Sequence, residues 1–217
     1  MKFVVTAGPT REPLDPVRYL SNRSSGKMGY ALAAAALEEK HEVILISGPV
    51  ALAAPIGSDL IPVMTGEEMF AAAAHHFAAC DVFIMCAAVC DYQAVVYAAQ
   101  KLPKQRGRFA LELEPARDVL ASLTSLPHDC LVVGFAAETQ ELVENARRKL
   151  TAKNCDLIVA NDVGRTDVGM DVDENELLIF DRDGGLKKLT RAKKTELART
   201  LLKIIIVMRE NCLTKKT

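Results

Sequence analysis

The chain of 217 residues has no cysteines at CxxC spacing, no excess of charge of one sign and no apolar run long enough to span a bilayer. Each absence excludes something. With a net charge of −1, nothing points to generic binding of nucleic acid or another polyanion. The longest apolar runs, such as "LLKIIIVM", are broken by charge well short of the ~20 residues a transmembrane helix needs. No membrane association is expected. The first strand begins at Lys2, which leaves no room for a signal peptide, so a cytoplasmic location is expected. The six cysteines are Cys80, Cys86, Cys90, Cys130, Cys155 and Cys212. Most lie in apolar, strand-like text, and none has zinc-ribbon spacing, so they read as reduced core thiols. Cys86 and Cys90, four apart, would share one face of a strand, the geometry a redox pair would need. His75 and His76 read as partly exposed helix residues. No His/Cys metal site is expected.

Two nucleotide-binding signatures are also missing. A dinucleotide fingerprint needs GxGxxG straight after the first strand and an acid ending the second. Here the first loop reads "GPTREP" and the second strand ends "ISGPV". An NAD(P)-dependent oxidoreductase is therefore the weaker alternative. A Walker loop needs GxxxxGK followed by Ser or Thr. Ser21 stands where its first glycine should be, and Met28 follows Lys27.

What is present is an alternation of strands and helices. "KFVVTAG" is a buried strand stopping at a glycine. A long loop from Gly8 to about Ser25 carries Pro9, Pro13 and Pro16, which argue against a helix. "GKMGYALAAAALEEK" is a helix, "EVILIS" and "DLIPVMT" are strands, and "GEEMFAAAAHHFAA" is a helix with acids in its first turn. "DVFIMCAAV", "CLVVGFAAE" and "CDLIVAND" are further strands, with "QELVENARRKLTAK" a helix between the last two. "RDGG" joins two strands as a hairpin, and "KKTELARTLLKIIIVMRE" is the last helix. The pattern predicts one α/β domain: a doubly wound, Rossmann-like, mostly parallel sheet with helices on both faces. The polar, basic stretch at about 92–108, followed by "FALELE", predicts an inserted flap and edge strand. A tail at about 212–217 should be frayed. In such sheets ligands sit beyond the carboxyl ends of the strands.

Ser24, Ser25, Gly26 and Lys27 open a helix. Free N–H groups and the helix dipole favour an anion there, and the hydroxyls and lysine add donors. A serine in that place is otherwise an ordinary N-cap.

Taken together and in order, "TAGPTREPLDPVRYLSNRSSGKMG", "CAAVCDY", "QKLPKQ", "GFAAET" and "KNCDLIVAND" resemble phosphopantothenate–cysteine ligase (phosphopantothenoylcysteine synthetase). "SNRSSGKMG" looks like the bacterial, CTP-using branch rather than the ATP-preferring eukaryotic one. The resemblance covers nearly the whole chain. It implies that 4′-phosphopantothenate and L-cysteine are joined through an acyl-cytidylate made from CTP, with Mg2+ accompanying the nucleotide. The flavin-dependent decarboxylase half of the bifunctional bacterial enzymes has no counterpart here. No flavin is expected, and a separate phosphopantothenoylcysteine decarboxylase is a candidate partner.

By the same resemblance Lys101 is the flap lysine that stabilises nucleotidyl transfer, with Lys104 secondary because Pro103 interrupts the pattern. Asn22 contacts phosphopantothenate and serves conversion of the intermediate. Arg18 binds the substrate phosphate; in the family it can reach across from another protomer, so a homodimer is expected. Asp91 lies near both ligands, Ala87 and Ala88 offer backbone contacts, and Phe135 lies beside the base. Lys149 and Lys153, four apart on a helix, approach the nucleotide together with Asp118 of "ARDVL". Gly8 belongs to the nucleotide turn, where Pro9 removes one N–H. A non-catalytic nucleotide sensor on the same fold is the remaining alternative.

Overall fold

A computed structural model describes residues 1–104, 106–164 and 172–214. Gln105 of the expected flap and residues 215–217 of the expected tail lie outside the described residues. The central strand is β1 (Lys2–Ala7), buried along nearly its whole length. It pairs in parallel with β4 (Glu42–Ser47) on one side and β6 (Val82–Met85) on the other, with Val5 opposite both Leu45 and Ile84. Beyond β4 lies β5 (Asp59–Pro62). Beyond β6 lie β9 (Leu131–Glu138) and β10 (Leu157–Asp162), both parallel. The hairpin of β11 (Glu174–Asp181) and β12 (Leu186–Lys193) closes that edge antiparallel, turning at Arg182–Gly185 as "RDGG" predicts. The order of this eight-stranded sheet is β12-β11-β10-β9-β6-β1-β4-β5. The chain therefore reverses its direction of progress between β1 and β6, and this is the topological switch point.

Side chains alternating along the strands separate into two cores. Phe3, Val5, Val43, Leu45, Ile84 and Val133 pack under α1 (Lys27–Glu38) and α5 (Lys194–Thr214). Val4, Ile44, Phe83, Val132 and Ile158 pack under α2 (Gly66–Phe77), α3 (Val119–Thr124) and α4 (Leu142–Ala152). Helix α2 begins with a complete capping box, Thr65 and Glu68 each bonding the other's backbone. No helix of the described residues is long and apolar enough to cross a membrane.

Four expectations are corrected. The Gly8–Ser25 stretch is not all loop: β2 (Arg11–Pro13) and β3 (Tyr19–Ser21) form an antiparallel ribbon within it. "FALELE" adds no edge strand to the main sheet. Its last residues form β8 (Leu113–Pro115), which pairs with β7 (Tyr92–Ala94) in a ribbon of its own. The segment leaves from β6, which β1 and β9 already flank, and it folds back on itself. Helix α5 continues through Thr214, so residues 212–214 are helical, not frayed. Cys86 and Cys90 do not share a strand, since β6 stops at Met85.

Candidate functional site

Two threonines of "TAGPT" build the floor at the switch point. Thr6, buried in β1, accepts at its hydroxyl from the N–H groups of Cys86 and Ala87, each at 3.2 Å. Thr10 accepts in the same way from the Cys90 N–H at 3.0 Å. Between them, the Gly8 carbonyl accepts from the Ala88 N–H at 2.9 Å, and the Ala88 carbonyl accepts from the Thr10 N–H at 3.2 Å. The Cys86–Cys90 segment is thus laid against the end of β1. The Asn22 side-chain amide donates to the same Ala88 carbonyl at 2.9 Å, which pins the loop before α1 to this floor. Both thiols of the segment are raised: burial pushes Cys86 up to about 12 and Cys90 upward as well. Neither offers a thiolate, and all six cysteines are free.

The N-cap of α1 is Gly26 at φ 76°, with no side-chain cap. Neither serine therefore takes the ordinary capping role; Ser24 instead accepts from the Gly26 N–H at 3.4 Å. Glycine is required at position 26 because that φ lies in the left-handed region. A Cβ there would also stand 2.8 Å from the Val50 side chain. The bare helix start, with Ser24 and Lys27, lines a cavity of about 350 Å³. Ala87, Ala88, Asp91 and Asn22 line it from the floor, and Phe135 and Lys149 from β9 and α4.

A second cavity of about 410 Å³ shares Ala87, Asp91, Phe135 and Lys149 with the first and adds Asp118 and Lys153. The two form one elongated cleft across the sheet end. Lys153 is the C-cap of α4 rather than a residue inside it. It pairs with Asp118, whose carboxylate also caps α3 by accepting from the Ala121 N–H at 3.0 Å. Lys149 pairs with Glu138 at 2.7 Å, and Lys27 with Asp173 at 2.7 Å. The Lys27 ammonium holds the Asp173 carboxyl below the usual carboxylate range. Among the described residues, Lys27, Lys149 and Lys194 line the first cavity against a single carboxylate, Asp91. The cavity is therefore suited to an anion.

Four expected site residues lie elsewhere. Gly8 is buried but does not line the cleft. Its φ of 73° brings the chain so near the next loop that a Cβ would meet the Gly48 carbonyl at 2.9 Å. Its place is a close backbone approach, and the polar backbone atoms of its turn are spent on Ala88. Ser25 is half-buried behind the helix start. Arg18 donates to Asp15 and to the Leu102 carbonyl. Lys101 is exposed within the flap. The sequence reading also missed residues that line the cavity: Asn161, Asn175 and Lys194, each less than 9% exposed. Asn161 ends β10 on the same side of the sheet as the other strand ends, a placement that "VAND" advertises. The two threonines of the floor were legible as a spacing of four across a tight turn.

Comparison with known proteins shows the family and the fold. Residues 1–208 match the family described as DNA/pantothenate metabolism flavoprotein C-terminal domain. The coenzyme A biosynthesis bifunctional protein CoaBC of Bacillus subtilis is 44% identical over 206 residues, covering 94% of this chain and 51% of that protein. The chain spans about half the length of the curated relatives it matches. A crystal structure of the C-terminal domain of a CoaBC protein aligns with a TM-score of 0.83 at 38% identity, over 97% of this chain and 96% of that one. A Cab2 variant in complex with phosphopantothenate-cysteine shares the fold, with a TM-score of 0.77 at 16% identity over 100% of this chain and 89% of that one.

Proposed function

This chain belongs to the DNA/pantothenate metabolism flavoprotein C-terminal domain family, and from that premise we propose that it is a phosphopantothenate–cysteine ligase. A free carboxylate resists an amine because oxide cannot leave. In the first step a carboxylate oxygen of 4′-phosphopantothenate attacks the α-phosphorus of CTP, and pyrophosphate departs. In the second, the cysteine amine attacks the activated acyl carbon, loses a proton and expels CMP with the bonding electrons. The observation that carries this reading is the cleft at the β1/β6 switch point. It has an uncapped helix start and three lysines at one end, and an aromatic ring and small residues along its length.

On this reading each residue has the role that the resemblance implies. Ser24, Gly26 and Lys27 receive the triphosphate at the α1 N-terminus, with Ser25 behind them. Entering phosphates would compete with Asp173 for Lys27 and with Glu138 for Lys149, replacing one anion by another. Phe135 stacks beside the base, with Lys149, Lys153 and Asp118 along the nucleotide. Ala87 and Ala88 allow the ligand to approach the backbone, Asp91 stands between the two substrates, and Gly8 shapes the turn beneath them. Asn22 presents an amide to the acyl intermediate. Lys101 supplies positive charge as the α-phosphate becomes more crowded with negative oxygen. Arg18 receives the phosphate of phosphopantothenate.

Magnesium would travel with the triphosphate, held by phosphate oxygens and water. Among the described residues, Asp91 is the lone carboxylate lining the first cavity, and no group of three His, Cys, Asp or Glu side chains forms a metal site. The flavin of the bifunctional relatives is assigned to their decarboxylase half, which is also a candidate partner. We assign the chain to the cytoplasm and to a homodimer. The two ribbons pack on each other and expose Val17, Tyr19, Val96, Tyr97 and Phe109, an apolar surface suited to a second copy. The reading is tested by incubating the protein with phosphopantothenate, cysteine, magnesium and either CTP or ATP. Phosphopantothenoylcysteine should appear with CTP in preference to ATP. Nucleotide binding without product would leave a sensor.

A further inference from the structure

The Asp15 carboxylate has no exposed surface, yet it lies on the first ribbon, far from either core. Its Oδ1 accepts from the N–H groups of Val17 and Arg18, both at 2.8 Å. Its Oδ2 accepts from Arg18 Nε at 2.9 Å, from Arg18 Nη2 at 2.6 Å and from the Leu102 N–H at 3.1 Å. Arg18 Nη2 also donates to the Leu102 carbonyl at 2.6 Å. Both backbone groups of Leu102 are therefore held by one ion pair. Leu102 belongs to a stretch with no regular secondary structure, so no ladder would hold it otherwise. A second tether lies four residues earlier, where the Ala98 N–H donates to the Leu14 carbonyl at 3.0 Å. Lys101 sits between the two.

Resting on the ligase reading above, we propose that Asp15 is a positioning residue: its pair with Arg18 latches Leu102 and so fixes where Lys101 stands. The latch also aims Arg18. Two of its donors are turned inward, while the side chain stays 45% exposed and can still meet a phosphate. The residue that binds one substrate and the residue that serves the transfer are thereby set as one unit. The carboxylate is fit for this role. Burial alone would raise its pKa, but hydrogen bonds from Val17, Leu102 and Arg18 hold it well below the usual carboxylate range.

Hydrogen exchange tests the latch without any substrate. In the unmodified protein the Leu102 amide should exchange at least ~100-fold more slowly than that of Lys104. In Asp15→Asn, where a donor replaces the Oδ2 acceptor, the two should converge. Pyrophosphate release by Asp15→Asn should lose ~10-fold or more in kcat, since small misplacements of a charged group are costly, while KM for the nucleotide changes less than ~2-fold. A merely structural residue would move both constants or neither. Free exchange of Leu102 in the unmodified protein overturns the latch, whatever the variant's fold does. Loss of Leu102 protection with kcat unchanged overturns the link to Lys101. If the unmodified protein releases no pyrophosphate, the ligase reading falls, and exchange still decides the latch.

Discussion

The residues around the cleft come from two regions that keep their shape by different means. The sheet end is an extension of the core. Val4, Val5, Phe83 and Ile84 are fully buried immediately beneath it, and parallel pairing fixes where each strand stops. The ribbons β2–β3 and β7–β8 have three residues per strand and expose much of their apolar surface. They are held together by side-chain bonds to backbone from Asp15 and Arg18. Groups that line the cleft, such as Ala87, Phe135 and Lys27, sit on the first region. The two charged groups proposed to meet the substrate phosphate and the reacting phosphate, Arg18 and Lys101, sit on the second. The difference teaches that hydrophobic burial places the container here, and polar latches place the charges that act on its contents.

Substitutions can break or sharpen this contrast. The largest effect should come from Phe83→Ala, beneath the sheet end. It should lower stability by ~3–5 kcal/mol, read from urea unfolding, and loosen the cleft with it. Lys101→Gln should leave the urea midpoint where it was and cut pyrophosphate release about a hundred- to a thousand-fold, the cost of one lost charge-stabilising donor. Gly26→Ala lies between these cases. The left-handed backbone should cost ~1–2 kcal/mol, and triphosphate affinity measured by calorimetry should fall because the helix start shifts. The smallest effect on stability should come from Tyr97→Ser on the second ribbon, within ~0.5 kcal/mol. Its effect should instead appear in sedimentation, as a shift from dimer toward monomer.

The same division explains what the sequence made legible. Strands that stop at glycine or at Asn-Asp, and a helix opening with "SSGKMG", follow local rules, so the sheet and the helix start that opens the cleft could be read directly, while most residues lining the cleft were reached through the family resemblance. The ribbons could not. Pairing of Arg11–Pro13 with Tyr19–Ser21, or of Tyr92–Ala94 with Leu113–Pro115, depends on contacts across loops rather than on any period in three residues. Helix α3 is too short, at six residues, to show a helical period. Asp15 reads as one more polar residue in a proline-rich loop, because its partner Leu102 lies 87 positions away. Lys194 and Asn175 reach the cavity only because the hairpin β11–β12 returns the chain to the strand ends.

On the proposed mechanism the cleft activates a carboxylate before cysteine takes part. Rapid-quench measurement with enzyme in excess, phosphopantothenate, CTP and magnesium should show one pyrophosphate released per active site in the absence of cysteine, with no free CMP until cysteine is added. Pyrophosphate that appears only when cysteine is present, or CMP released without it, would rule that order out.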